Sequence, residues 1–265
     1  MENIARMLLD LGIALEHFHC ESAPGQWEFV LPPATPVQAV DTLLKARDTI
    51  LAVARSFGVL ATLHPRVSKD HSGTGAHVHI SINPIGNCSM ARSETFFAGI
   101  IDHMPSILAF TLPQEVSYER VQAGLWSGGE YACWGWENKD TPMRRVAENH
   151  FEFKLMDGLA NPYLALTALL SSGLDGLSNN THLTAGNCDK APTDMTLEER
   201  VVVGVETLLP KTIEDSLAAL GRNERLAGFI GETLVSQYAA VKRSEAQFLL
   251  KMPVEERRRW LISKY

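Results

Sequence analysis

A Pro24-Gly25 step between two runs of alternating residues constrains this chain more than any other local signal. Ile13, Leu15, His17 and His19 precede it; Phe29 and Val30 follow. Pro-Gly favours a turn, and strict alternation favours strands. The stretch Glu21-Ser-Ala-Pro-Gly-Gln-Trp-Glu28 therefore predicts a hairpin with Glu21 and Glu28 opposite each other on one face. Like charges so placed repel. A hard divalent cation, which prefers carboxylate oxygen, turns that repulsion into coordination. Two solvated acids on a surface loop are the bland alternative, and the spacing alone leaves both open.

Helical signals follow. Thr35-Pro-Val-Gln38 has an N-cap, a first-turn proline and a capping-box residue. Val37, Val40, Leu43, Leu44, Ile50, Leu51, Ala54 and Phe57 then recur at helical spacing, and Gly58 is the expected stop. Gly58 to Pro65 reads as a strand, and Ser68 to Gly75 as a polar loop. His77-Val-His-Ile-Ser-Ile82 alternates, with His77, His79 and Ser81 on one face and Val78, Ile80 and Ile82 on the other. Residues 93–110 read as helix, Tyr131 to Trp136 as strand, and Phe151 to Leu155 as a strand with Glu152 and Lys154 on one face. Asn161-Pro162 opens a helix expected to end near Gly173, and helix dominates from Thr196 onward. Strands early and helices late make one α+β domain.

The net charge of −7 argues against a nucleic-acid binder, which needs basic side chains on phosphates. The four cysteines, Cys20, Cys88, Cys133 and Cys188, lie far apart with no Cys-x-x-Cys, which suits reduced thiols. No apolar run reaches membrane-spanning length, so no membrane partner is expected. The start, Met1 to Met7, reads as a short helix without a secretory signal, so a cytoplasmic location is expected.

Three alternating segments thus offer Glu21/Glu28, His77/His79 and Glu152/Lys154 on what is expected to be one face of one sheet, a plausible floor for a metal site. Each pair alone is more often a solvated or hydrogen-bonded set. Arg120, Arg144 and Arg145 add guanidinium groups suited to carboxylate or phosphate. Gly73-Thr-Gly75 lets backbone approach a ligand. There is no P-loop and no dinucleotide fingerprint.

Four segments carry a family resemblance: Glu21 to Glu28, Gly73-Thr-Gly-Ala-His-Val-His-Ile-Ser81, Ser117-Tyr-Glu-Arg120 and Asp157-Gly-Leu-Ala-Asn-Pro-Tyr-Leu-Ala-Leu166. Together with Leu209-Pro-Lys-Thr-Ile-Glu-Asp-Ser-Leu, they resemble the catalytic domain of glutamine synthetase over nearly the whole chain, residues 1–265. Gly124-Leu-Trp-Ser-Gly-Gly and Trp134-Gly-Trp-Glu-Asn-Lys are similar to divergent fungal members of that family. The resemblance implies an antiparallel sheet floor with helices packed on one face and a helical C-terminal third. It implies an ATP-dependent ligase joining glutamate to ammonia or a larger amine, with Mg²⁺ or Mn²⁺ as cofactor. Glu21 and Glu28 match ligands of a first metal, and His77 and Glu152 ligands of a second. His79 and Ser81 match the strand beside the nucleotide, and Gly73 a backbone group meeting glutamate. Arg120 matches the arginine that holds the substrate carboxylate. Lys139 and Arg144 match a pair of arginines near the phosphates, and Lys154 another substrate-binding arginine.

There are departures. Trp126 stands where the family carries a glutamate that binds and deprotonates ammonium, and Lys139 and Lys154 cannot make an arginine's bidentate fork. The family's upstream Glu-x-Glu strand and small β-grasp domain have no counterpart, so a chain cut on its N-terminal side and a weakened homo-oligomer are expected. A catalytically inactive scaffold is the alternative, favoured by Trp126 and opposed by the retained Glu21, Glu28, His77 and Glu152. A metal-dependent amidohydrolase has only His77-Val-His79 behind it, because His103, His150 and His182 are not expected in strands.

Overall fold

The computed structural model describes residues 1–68, 70–83, 91–121 and 124–265; Cys88 lies outside them. The chain begins with helix α1 (Glu2–Asp10), the hairpin β1 (His17–Cys20) and β2 (Trp27–Val30), and helix α2 (Pro36–Ser56). Strand β3 (Val78–Ser81), helix α3 (Ala91–Thr111) and the single turn α4 (Glu115–Tyr118) follow. Strands β4 (Trp134–Trp136), β5 (Met143–Ala147) and β6 (His150–Phe153) lead into helix α5 (Pro162–Ser178). After a loop with one 3-10 turn (Pro192–Asp194), the C-terminal part is mainly helical: α6 (Leu197–Val202), α7 (Ile213–Arg222), α8 (Glu224–Ile230), α9 (Glu232–Leu250) and α10 (Val254–Lys264). The α+β class and the helical C-terminal third are as expected. No helix among the described residues is long and apolar enough to cross a membrane.

The strands form two sheets rather than one. β1 and β2 pair only with each other, while the second sheet has the order β3-β6-β5-β4. β3/β6 and β5/β6 run antiparallel; β4/β5 is a parallel pair. Val78 pairs with Phe153 and Phe153 with Met143, so one face is apolar from strand to strand. That face packs on α3, where the Phe97 and Phe151 rings are 4.1 Å apart. Phe97, Phe151, Phe153 and Met143 are fully buried. Each such side chain contributes about 1.5–3 kcal/mol by leaving water, more than an exposed ion pair on the other face can return. The apolar face therefore sets which residues look outward, since a one-residue slip would expose all of it.

Behind the sheet, α3 crosses α5 at close range. A Cβ on Gly99 would stand 2.3 Å from Ser172 O and 2.7 Å from Gly176 Cα, and one on Gly173 would meet the Phe96 ring at 2.2 Å. Gly173 is thus a packing point, not a stop, which is why α5 runs on to Ser178. Asn161 caps α5, accepting from the N–H groups of Tyr163 and Leu164. Thr196 closes a capping box with Glu199, and Thr212 accepts from Asp215 N–H. His103 sits on α3, bonded to Asp175 of α5 at 2.8 Å, a buried polar clamp rather than a ligand in a strand.

Two strand expectations give way. Gly58 to Pro65 forms no ladder; Val59 and Leu60 are exposed, and among the described residues no strand lies alongside to turn β-propensity into pairing. Tyr131 makes only an isolated bridge to Leu208, leaving 134–136 as β4. Cys20, Cys133 and Cys188 are free thiols, although the last two meet in one buried cluster with Met195 and Val205.

Candidate active site

The hairpin carries one half of the site. Ala23 O accepts from Gln26 N–H at 3.0 Å, with Gly25 at φ +75°, and Glu21 N–H donates to Gln26 O at 2.9 Å. The loop therefore takes four residues instead of two. Glu28 pairs with His19, not with Glu21 as the symmetric turn predicts. The shift is two residues, so the face is preserved while the neighbour changes. The result is a three-member cluster in which ligand atoms of His19, Glu21 and Glu28 lie within 4.8 Å of one another. His19 Nε2 is 3.3 Å from Glu21 Oε1. Such an N/O set fits a divalent cation that accepts both oxygen and imidazole, Mn²⁺ more readily than Mg²⁺.

The two carboxyls share a proton. Burial, the Glu21 hydrogen bond and the Glu21 charge push the Glu28 carboxyl up to about 7. Burial also acts to raise Glu21, but the hydrogen bonds from Glu28 and Ser22 N–H and the nearby His19 hold it below its ordinary value. A folded chain that keeps a proton on Glu28 is favoured below the ordinary value of 4.5, and that advantage is lost as pH rises through about 7. The metal-free protein should therefore lose thermal stability across that window, and Glu28→Gln should flatten the loss. Melting curves with chelator present, taken across the window for both proteins, check this; parallel curves would count against the shared proton.

The four-stranded sheet carries the other half. His79 pairs with Glu152, and Glu152 with Arg144, one rung across β3, β6 and β5. Glu152 is its centre: His77 Nδ1 lies 2.8 Å from Oε1, Arg144 3.2 Å from Oε2, and Lys154 Nζ 3.7 Å from Oε1. Arg144 also pairs with Glu137. Burial works to raise the Glu152 carboxyl, but the His77 hydrogen bond and the positive Lys154 outweigh it and hold it well below the carboxylate range. Burial pushes His77 down to about 4, so its imidazole stays neutral, the form in which it can ligate a metal. Burial also lowers Lys154, with Glu152 opposing.

Two hydrogen bonds join the halves. Gln26 Nε2 donates to Gly73 O at 3.1 Å and to Thr74 Oγ1 at 3.0 Å. The halves are near enough that the Glu152 charge adds to the rise at Glu28. Gly73 itself lies against Arg120, where a Cβ would stand 2.3 Å from Arg120 Cγ. His79, Ser81 and Lys139 are exposed, Lys139 on the turn after β4. This is an open face rather than a cleft; shallow clefts of about 480 and 420 Å³ lie elsewhere, against Arg225 between α3, α5, α7 and α8.

Arg120 lies behind this arrangement, close enough that, beyond burial, its charge lowers both His77 and Lys154, whereas Arg145 stands apart from it. Arg120 is 2% exposed; its Nη2 donates to Lys154 O at 2.9 Å and to Met156 O at 3.2 Å, while its buried Nε has no hydrogen-bond partner among the described residues. Arg145 points to the apolar face, over the rings of Trp134, Trp136 and Phe151, and pairs with Glu94 at 2.9 Å. Trp126 is 61% exposed at φ +52°, a left-handed backbone that a bulky residue rarely adopts. Two residues on, a Cβ on Gly128 would stand 2.8 Å from Leu155 Cδ2 and 3.3 Å from Lys154 Cβ, which sets the Trp126 turn close to the basic end of the site. His150, not expected in a strand, opens β6 and meets His79 at 2.9 Å. His19 and His150 escaped the reading of spacing, although His17, His19 and Glu21 share one parity.

A sheet whose outer face brings carboxylate, imidazole and cationic groups together, beside a hairpin that gathers two carboxylates and an imidazole, has the make-up of a catalytic domain. Residues 1–261 match the family described as glutamine synthetase, catalytic domain, and the chain belongs to that family. It is 44% identical over 265 residues to Protein fluG of Emericella nidulans, covering 100% of this chain and 30% of that protein. It is 32% identical to the gamma-glutamylpolyamine synthetase GlnA3 of Streptomyces coelicolor, covering 89% of this chain and 54% of that protein. Among solved structures, the GmaS/ADP complex superposes with a TM-score of 0.84 at 26% identity, covering 99% of this chain and 63% of that one. The chain thus spans about a third to three-fifths of the relatives it matches.

Proposed function

We propose that this chain is the catalytic part of an ATP-dependent carboxylate–amine ligase that joins glutamate to an amine through a γ-glutamyl phosphate. The observation that carries the reading is the rung His79–Glu152–Arg144, with His77 and Lys154 converging on Glu152, set beside the His19/Glu21/Glu28 cluster. In this reading Glu21, Glu28 and His19 hold one divalent cation, and His77 and Glu152 a second. The cations supply neutralisation of phosphate oxygens. Arg144 and Lys139 face the transferred phosphoryl group, and Lys154 and the Gly73 backbone face glutamate. Arg120 shapes the glutamate pocket from behind Gly73, since its guanidinium is buried. Trp126 takes the amine side, and a relative named for γ-glutamylpolyamine synthesis favours an amine larger than ammonia.

Mn²⁺ binding by water proton relaxation and ATP binding by calorimetry test the reading together. Weak Mn²⁺ binding is expected in the parent, roughly tenfold weaker in His19→Ala, and none in the Glu21→Gln, Glu28→Gln double variant. A parent that binds neither Mn²⁺ nor ATP overturns the reading. That outcome would favour a non-catalytic member of the fold, which the buried Arg120 and the exposed Trp126 also suit.

A further inference from the structure

His79 and His150 meet edge to face on the outer side of the sheet, with ring centroids 5.0 Å apart and His79 Nδ1 2.9 Å from His150 Nε2. The backbone fixes this meeting. β5 and β6 are joined by the short Glu148-Asn149 turn, and a register shift between Arg145 and Ala147 sets Ala147 opposite His150. Asn149 then clamps the end of β3: Ile82 N–H donates to Asn149 O at 3.0 Å, and Asn149 Nδ2 donates to Ile82 O at 3.1 Å. His150 pairs with Ser81, so its ring lands diagonally beside His79, on the same face as Glu152.

A hydrogen bond between two neutral imidazoles needs one N–H and one lone pair, and the nitrogens in contact decide the tautomers of both rings. If His150 Nε2–H donates to His79 Nδ1, both rings take the Nε2–H form, which free histidine favours. If His79 Nδ1–H donates instead, both rings must take the less favoured Nδ1–H form. The first arrangement leaves His79 Nε2–H as a donor. We propose that His150 is a positioning residue that holds His79 in the Nε2–H tautomer, so that His79 donates a hydrogen bond to the polyphosphate of the bound nucleotide. The contact restricts the two rings to these paired tautomers and the intrinsic preference of imidazole selects the first; the nucleotide rests on the ligase reading above.

The experiment combines long-range ¹H–¹⁵N spectra of histidine-labelled protein at neutral pH with ATP calorimetry, on the parent, His150→Ala and His150→Gln. Glutamine is chosen because its side-chain amide can stand in for the Nε2–H donor. The parent and His150→Gln should show His79 with a bare Nδ1 and a protonated Nε2; His150→Ala should show a mixture. ATP affinity should fall about two- to tenfold in His150→Ala, as expected for one neutral hydrogen bond, and recover in His150→Gln. An Nδ1–H His79 in the parent overturns the proposal, as does a His150→Ala protein with unchanged tautomer and affinity. A parent with the expected tautomer and no ATP binding removes the nucleotide half along with the ligase reading.

Discussion

Replacing Glu152 by alanine should cost the fold about 3–5 kcal/mol, the range for breaking a buried ion pair from one side. Glu152 is 5% exposed and Lys154 4% exposed, so the substitution leaves a buried ammonium without its acid. Arg144 keeps Glu137, but His77 loses its partner. At about 2–4 °C per kcal/mol for a chain approaching this size, Tm should fall by roughly 10 °C. Glu152→Gln keeps the volume and one acceptor oxygen while replacing the other with an NH₂ donor and removing the charge, so its loss should be smaller. The acid is held below its ordinary 4.5, so its contribution is present above that value and lost as pH falls beneath it. The gap between parent and Glu152→Gln should therefore narrow in acid. Urea titrations at neutral and acid pH read both effects. A gap independent of pH would show that the charge of Glu152 adds nothing to stability.

The parity of each strand was legible in the sequence, and the partners across strands were not. Alternation places His77, His79, Ser81, Glu152 and Lys154 on the face away from the apolar core, as the structure has them, because the apolar residues between them have one place to go. It could not tell a two-residue from a four-residue loop at Pro24-Gly25. His19 was therefore overlooked as the neighbour of Glu28. The separation of the hairpin into its own sheet was hidden for a related reason. Leu15, Phe29 and Leu31 pack on Ile4, Leu8 and Ala46 of α1 and α2, a small core that nothing in the strands themselves announces. Arg144 and Arg145 are adjacent and chemically alike, yet strand alternation sends one to Glu152 and the other under the sheet. Arg120 was legible as important but not as buried, since its partners are carbonyls that any sequence would supply.

The second large effect should lie at Trp126, in a protein that carries this chain as its catalytic domain. The acid that the family uses for ammonium has both a charge and a lone pair, and an indole has neither. An aromatic face attracts a cation by roughly 0.5–2 kcal/mol and accepts no proton. Proton removal by a placed base contributes about 10²–10⁴-fold. Trp126 is also held at φ +52° with most of its ring open, beside the turn that packs on Lys154. On the reading proposed above, that conformation holds an apolar surface where an incoming amine would pass. Trp126→Glu should raise phosphate release with ammonia by about a hundredfold. It should lower release with amines of apolar or aromatic body. Trp126→Gly separates the two causes: it relieves the left-handed backbone without supplying a base, so it should gain stability and no ammonia activity. Assays with glutamate, ATP and each amine give the answer. If the Trp126 protein already uses ammonia at a rate that Trp126→Glu does not improve, the indole is not at the amine site, and the pairing of Ser117 to Trp126 with the family's segment is displaced.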